Sequence, residues 1–288
     1  MQTILVTGAK GQLGSELRRL APGYPAFHFI FTDKEELSIA DPDAINNFFD
    51  EYKPAYCINC AAYTAVDKAE SDKESAELLN ATAVKYLAEA CAKNGARFIH
   101  ISTDYVFDGK ATAPIKEDMV PDPVSVYGVT KLKGEELAIK HNPETILIRT
   151  AWVYSSFGHN FVKTMLRLMN ERSELNVVND QKGTPTYAAD LAAAILHIID
   201  SGKWIPGIYH YANEGEISWY DFAVAIKEIA GSACAVNPIP TSAYPTPATR
   251  PAYSVFDKEK IKATFGVAIP EWRESLERCV QGILRKSP

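Results

Sequence analysis

The sequence is short of several things, and each shortage narrows its reading. Cysteine is scarce: five among 288 residues, at 57, 60, 91, 234 and 279, an odd and scattered set unlike a secreted disulfide framework. Cys57 and Cys60 have CxxC spacing, but they sit in the apolar run 56–62 and no second pair completes a zinc site, so free thiols are expected. Basic charge is in deficit, with 30 Lys and Arg against 36 Asp and Glu, and no run of Lys and Arg marks a nucleic-acid surface. No apolar stretch approaches the roughly 20 residues that a membrane span needs. The first residues read as a strand rather than as a charged leader with an apolar core. A cytoplasmic protein is therefore expected, with no nucleic-acid and no membrane partner.

What is present is an alternation of short β-rich runs with longer helical patterns. Residues 3–7, 27–32, 56–60, 97–102 and 145–149 read as strands; 12–20, 42–51, 75–94 and 127–140 read as helices. Such an order argues for an α/β fold, a Rossmann-type parallel sheet covered on both faces, with a smaller C-terminal substrate-binding lobe. The expected division is 1–150 for the NAD(P)-binding domain and 151–288 mainly for the lobe, with a stretch near 171–200 returning to the first domain. Later helices are expected at 160–170, 186–200, 218–230 and 271–284, and a strand at 208–211. Ser218 stands at an N-cap with Asp221 three positions on, a capping-box pattern. Five prolines between 237 and 251 exclude regular helix and central strand there, which predicts an ordered loop or lid. Gly266 is expected at a turn.

The segment Thr7-Gly8-Ala9-Lys10-Gly11-Gln12-Leu13-Gly14 joins the first strand to the first helix. Gly8 permits a tight turn, Gly11 lets backbone approach a pyrophosphate, and Gly14 lets the helix lie close on the sheet, with free N–H groups facing phosphate. No Gly-Lys-Ser or Gly-Lys-Thr follows, so this is not a Walker loop. Asp33, closing the second strand, suits the ribose hydroxyls of a dinucleotide, while Lys34 beside it suits the extra phosphate of NADP; NADPH and NADH both stay open. After the third strand, Ala61, Ala62 and Tyr63 leave room for a cofactor to cross the sheet edge. Asn80 reads equally as a contact near the active site or as an ordinary helix-surface residue.

Thr103 ends its strand at the carboxyl edge, where open parallel sheets bind ligands. Tyr127 and Lys131 are one helical turn apart, about 5–6 Å between Cβ atoms. A neighbouring ammonium favours phenolate, so Lys131 is expected to lower the Tyr127 pKa from near 10 toward the working range. With Thr103 holding a carbonyl oxygen toward Tyr127, and Lys131 also reaching the nicotinamide ribose, the set suits hydride transfer to a ketone.

The glycine loop, the phrases 59–67 (NCAAYTAVD), 101–109 (ISTDYVFDG) and 149–154 (RTAWVY), and the later 183–186 (GTPT) and 218–220 (SWY) together resemble the extended short-chain dehydrogenase/reductase family. Within it, the similarity is to the dTDP-4-dehydrorhamnose reductases and covers nearly the whole chain. The resemblance implies reduction of the C4 ketone of dTDP-4-dehydro-L-rhamnose to dTDP-L-rhamnose with NADPH or NADH, by a catalytic trio of Thr103, Tyr127 and Lys131. It implies sugar contacts for Tyr105 and Trp152, and a place near the nucleotide diphosphate for Arg250, whose forked donors suit that group. A homodimer is one expected assembly. Some members hold an interfacial magnesium through acidic residues; Glu16 is a counterpart, but no acidic cluster around Asp190 completes the site, and no metal is expected. Tyr253 departs from the asparagine associated with its stretch, which bears on the substrate more than on the chemistry. Two other readings stand: a nucleotide-sugar epimerase or dehydratase, which retains NAD through its cycle, and a non-catalytic NADP-binding regulatory subunit of a methionine adenosyltransferase, against which the intact trio argues.

Overall fold

A computed structural model describes residues 1–285; the final three positions of the expected second lobe lie outside the described residues. Five strands follow the early alternation: β1 (Gln2–Thr7), β2 (Phe27–Thr32), β3 (Tyr56–Asn59), β4 (Arg97–Thr103) and β5 (Ile146–Thr150). A sixth, Gly207–His210, pairs with β5. All pair in parallel, in the order β2, β1, β3, β4, β5, Gly207–His210. The order reverses between β1 and β3, and the crevice above such a reversal is where open sheets take ligands.

Both faces are buried because successive side chains point to opposite sides. Ile4, Val6, Ile58, Ile99 and Ile146 join one core, completed by Leu191, Ile195 and Ile198 of helix Ala188–Asp200. Leu5, Cys57 and Phe98 join the other, against Leu87, Ala88 and Cys91 of helix Ala83–Asn94. Among the described residues no helix is long and apolar enough to cross a membrane.

A separate core gathers Tyr154, Met165, Leu175, Val177, Phe222, Leu276 and Val280. It carries a two-stranded parallel sheet, Glu174–Val178 with Ala235–Ile239. The proline-rich stretch therefore departs from the loop expected of it: Pro238 lies inside a strand, opposite Val177. A proline with no N–H to give is tolerated there because the sheet has only edge strands. Beyond it the chain forms a short 3-10 turn at Thr241–Ala243 and then irregular structure. The Ser218–Asp221 capping box forms with both reciprocal bonds. Gly266 caps helix Glu259–Phe265 at φ +70°, a helix too short to declare itself in the sequence.

Candidate active site

A cleft of about 760 Å³ opens over the carboxyl ends of β1, β3, β4 and β5. Its floor is the glycine turn. Gly8 has φ +65°, and a Cβ there would come within 2.6 Å of the Ala61 backbone nitrogen, so the turns after β1 and β3 touch. A Cβ on Gly14 would collide with the Gly8 carbonyl. Gly11 is the N-cap of helix Gln12–Leu20 and places no side chain over its first N–H groups. These leave backbone donors open to an anion, so the residues present fit a dinucleotide pyrophosphate. Asp33 is held by the Lys10 and Lys34 amides at 3.0 and 2.9 Å, and the Lys10 ammonium is drawn to Glu35 at 2.8 Å. Gly8, Gly11, Gln12, Leu13, Asp33, Lys34, Ala61 and Ala62 all line the cleft; Gly14 lies behind it.

Tyr63 does not line it. Its phenol donates outward to Asp72 at 3.1 Å, while its backbone is clamped by the Asn80 amide, which accepts from the Tyr63 N–H at 2.8 Å and donates to its carbonyl at 3.1 Å. Asn80 is thus fully buried, not a helix-surface residue. It lies in a π-helical segment, Leu78–Thr82, interrupting the helix that the sequence predicts as continuous. Such bulges commonly mark functional sites.

Thr103, Tyr105, Tyr127, Lys131 and Trp152 converge at the opposite wall. Ser125 caps helix Val126–His141 through the Gly128 amide, which fixes Tyr127 at its first turn. The Lys131 ammonium donates to the Ile101 carbonyl at 2.7 Å. One turn further on, Glu135 takes a bidentate pair of bonds from the buried Arg149 guanidinium, the shorter 2.6 Å, and another from Ser102. Burial lowers Lys131 to about 8, against which the Glu135 charge acts.

The phenol does not follow the expected direction. Burial raises Tyr127 to about 12; a hydrogen bond with Thr103 pulls it back, and the Asp104 charge pushes it further up. Lys131 directs one of its three N–H donors at a main-chain carbonyl. Desolvation beside the edge of the Tyr105 ring, 5.4 Å away, outweighs any help from the ammonium.

Trp152 has φ +48°, a left-handed conformation that costs a bulky residue on the order of 1–3 kcal/mol. Its indole stacks on Trp219 at 3.6 Å and its edge fills the space where a Gly183 side chain would be. Packing therefore holds the strained backbone in place. Arg250 lies outside the cleft lining, bonded by both outer nitrogens to Asp67 at 3.0 and 2.7 Å. Glu16 is buried and joins Arg19 and Ser155, both at 2.7 Å. Tyr253 donates to Glu216 at 3.1 Å. Sequence reasoning missed Asp104, Asp67, Glu135 and Trp219; all but Glu135 stood within quoted phrases, but nothing in their spacing announced their partners.

Residues 1–285 match the family described as the RmlD substrate binding domain. A dTDP-4-dehydrorhamnose reductase of Aggregatibacter actinomycetemcomitans is 41% identical over 96% of this chain and 98% of its own. The chain belongs to the dTDP-4-dehydrorhamnose reductase family. The crystal structure of a member from Clostridium acetobutylicum superposes with a TM-score of 0.95 at 44% identity, covering 98% of this chain and all of that one. A member from Bacillus anthracis, solved in complex with NADP, gives a TM-score of 0.94 at 37% identity over 98% and 100%. Family membership is thus supported along the length of the chain, including both the cofactor cleft and the second core.

Proposed function

We propose that this protein reduces the C4 ketone of dTDP-4-dehydro-L-rhamnose to dTDP-L-rhamnose, taking NADPH or NADH. The observation that carries this reading is the meeting of Thr103, Tyr127 and Lys131 in the same cleft as the glycine turn. When bound, the reduced nicotinamide supplies a hydride to the ketone carbon. Tyr127 gives its proton to the ketone oxygen as the C=O π pair collapses onto it, and Thr103 orients that oxygen. The high phenol pKa keeps Tyr127 protonated and ready to donate in the reductive direction. Lys131, held by Ile101 and backed by Glu135, keeps a positive charge beneath the phenol and the ribose hydroxyls. Trp152 and Tyr105 flank the sugar. Arg250 reaches the diphosphate by exchanging Asp67 for phosphate oxygens, a swap of like acceptors. In this division of labour, residues 1–150 hold the cofactor and the second core carries the sugar nucleotide.

Oxidation of NADH and of NADPH, each followed by absorbance with dTDP-4-dehydrorhamnose present, tests the proposal. Turnover is expected in wild type and lost in Tyr127→Phe, with cofactor affinity retained; unchanged turnover in the variant rejects Tyr127 as the acid. A cycle that consumes no net reduced cofactor would instead indicate epimerase chemistry.

A further inference from the structure

Asp104 follows Thr103 directly, is 2% exposed, and has no role in the scheme above. The Thr103 hydroxyl donates to its Oδ1 at 3.0 Å, and the Tyr105 amide donates to the Thr103 oxygen at 3.2 Å. The Thr103 hydroxyl also acts on the Tyr127 phenol, favouring its ionised form. A threonine hydroxyl has one proton and two lone pairs. The Tyr105 amide takes one lone pair, which leaves one proton and one lone pair for Asp104, the Tyr127 phenol and an incoming ketone oxygen. An ionised carboxylate is acceptor-only and the strongest claimant for that proton. Thr103 then has only a lone pair to offer, and a ketone oxygen cannot donate to it.

We propose that Asp104 is a positioning residue for the reduction: ionised, it commits the Thr103 proton to itself; protonated, it releases that proton toward the ketone oxygen. The inference rests on the reductase reading for its consequence and on the local geometry for its cause. Asp104 Oδ2 is buried with no hydrogen bond of good geometry among the described residues, although the Ser254 hydroxyl acts on the carboxyl, so the ionised form is incompletely satisfied there. Burial raises the carboxyl to about 6, with the Ser254 and Thr103 hydroxyls and the amide of Tyr105 acting against it. The groups facing it are Thr103 from β4, Tyr105 from the following turn, Tyr127 from helix Val126–His141 and Ser254 from the C-terminal segment, with Arg250 and Asp67 acting beyond Tyr105. Among the described residues no cation forms an ion pair with it.

The test uses the whole protein in two arms. In the first, the kcat/KM of ketone reduction is followed from pH 5 to 7, below the titration of Lys131, at saturating NADH. Wild type is expected to fall at least fivefold as Asp104 loses its proton, whereas Asp104→Asn, whose amide donates to Thr103 at every pH, stays flat near the acid plateau. A wild-type profile flat through this window, or an Asn variant that keeps the wild-type slope, overturns the proposal. So does an Asn variant that binds NADH normally and has lost turnover more than a hundredfold. In the second arm the Asp104 carboxyl is titrated by carbon NMR, assigned by its disappearance in Asp104→Asn. Loss of a donor to the carboxylate in Thr103→Val is expected to raise its midpoint by roughly half a unit or more; no shift, or a fall, overturns the hydrogen-bond direction. This arm needs no substrate, so a protein that reduces no dTDP-sugar at all would refute the reductase reading while the arrangement of Thr103 and Asp104 is still read.

Discussion

Asp104 also bears on stability. Its carboxyl holds a proton more tightly folded than unfolded, since burial raises it from 3.8 to about 6. Folding stability is therefore lost as pH rises from about 4 through 6, by an amount on the order of 3 kcal/mol when fully expressed. Asp104→Asn, neutral throughout, should be more stable than wild type by about 1–3 kcal/mol at pH 8 and no more stable at pH 4, as read by urea midpoints at the two pH values. Gly14 makes the opposite case: Ala there must push its Cβ into the Gly8 carbonyl, costing about 1–3 kcal/mol and opening the glycine turn, with NADH affinity expected to fall at least tenfold by fluorescence titration. Both glycines and the Tyr127–Lys131 pair are legible in the sequence because spacing alone defines them. The direction of the phenol shift is not, because it depends on how much water the packed chain removes. The resting partner of Arg250 is illegible for a related reason: Asp67 is 183 positions away, and no local pattern joins them.

Elements with strong local signals form where the sequence puts them. The Ser218 cap is one, and Ser218→Ala should lower stability by about 1 kcal/mol, moving the thermal midpoint by roughly 2–4 °C for a chain of this size; an unchanged calorimetric midpoint would show that the cap is redundant. Segments decided by tertiary pairing are harder to see. Strand Glu174–Val178 alternates buried Leu175 and Val177 with exposed Glu174 and Asn176, a short pattern whose partner strand contains a proline. The π-helical turn at Leu78–Thr82 has no composition signal either. It brings the Asn80 side chain onto Tyr63 and its carbonyl to where a side chain on Gly134 would lie. Gly134 is thus required by a neighbouring helix rather than by its own.

At the scale of the molecule, specific hydrogen bonds join the sheet domain to the second core. Gln12 donates to the Val153 carbonyl at 3.3 Å and accepts from Asn160 at 2.9 Å, so a glycine-turn residue senses the second core directly. Asp67 and Arg250 tie the proline-rich segment to the short helix Val66–Ala69. Both are partly exposed, so Asp67→Asn should change global stability by less than about 1 kcal/mol. Amide exchange near Ala248, whose N–H also bonds Asp67 at 3.2 Å, should nevertheless speed up markedly, and sugar-nucleotide KM should fall, because Arg250 no longer has to leave a carboxylate for the diphosphate, with cofactor affinity unchanged. Unaltered exchange at that amide would rule the tie out as a latch. The Trp152–Trp219 stack has a further use, this time optical. Two indoles 3.6 Å apart and 12° from parallel are coupled chromophores, one of them in the cleft wall. Their near-ultraviolet circular dichroism should carry a band that vanishes in Trp219→Phe and shifts when a sugar nucleotide enters, giving the protein an intrinsic, label-free signal of occupancy.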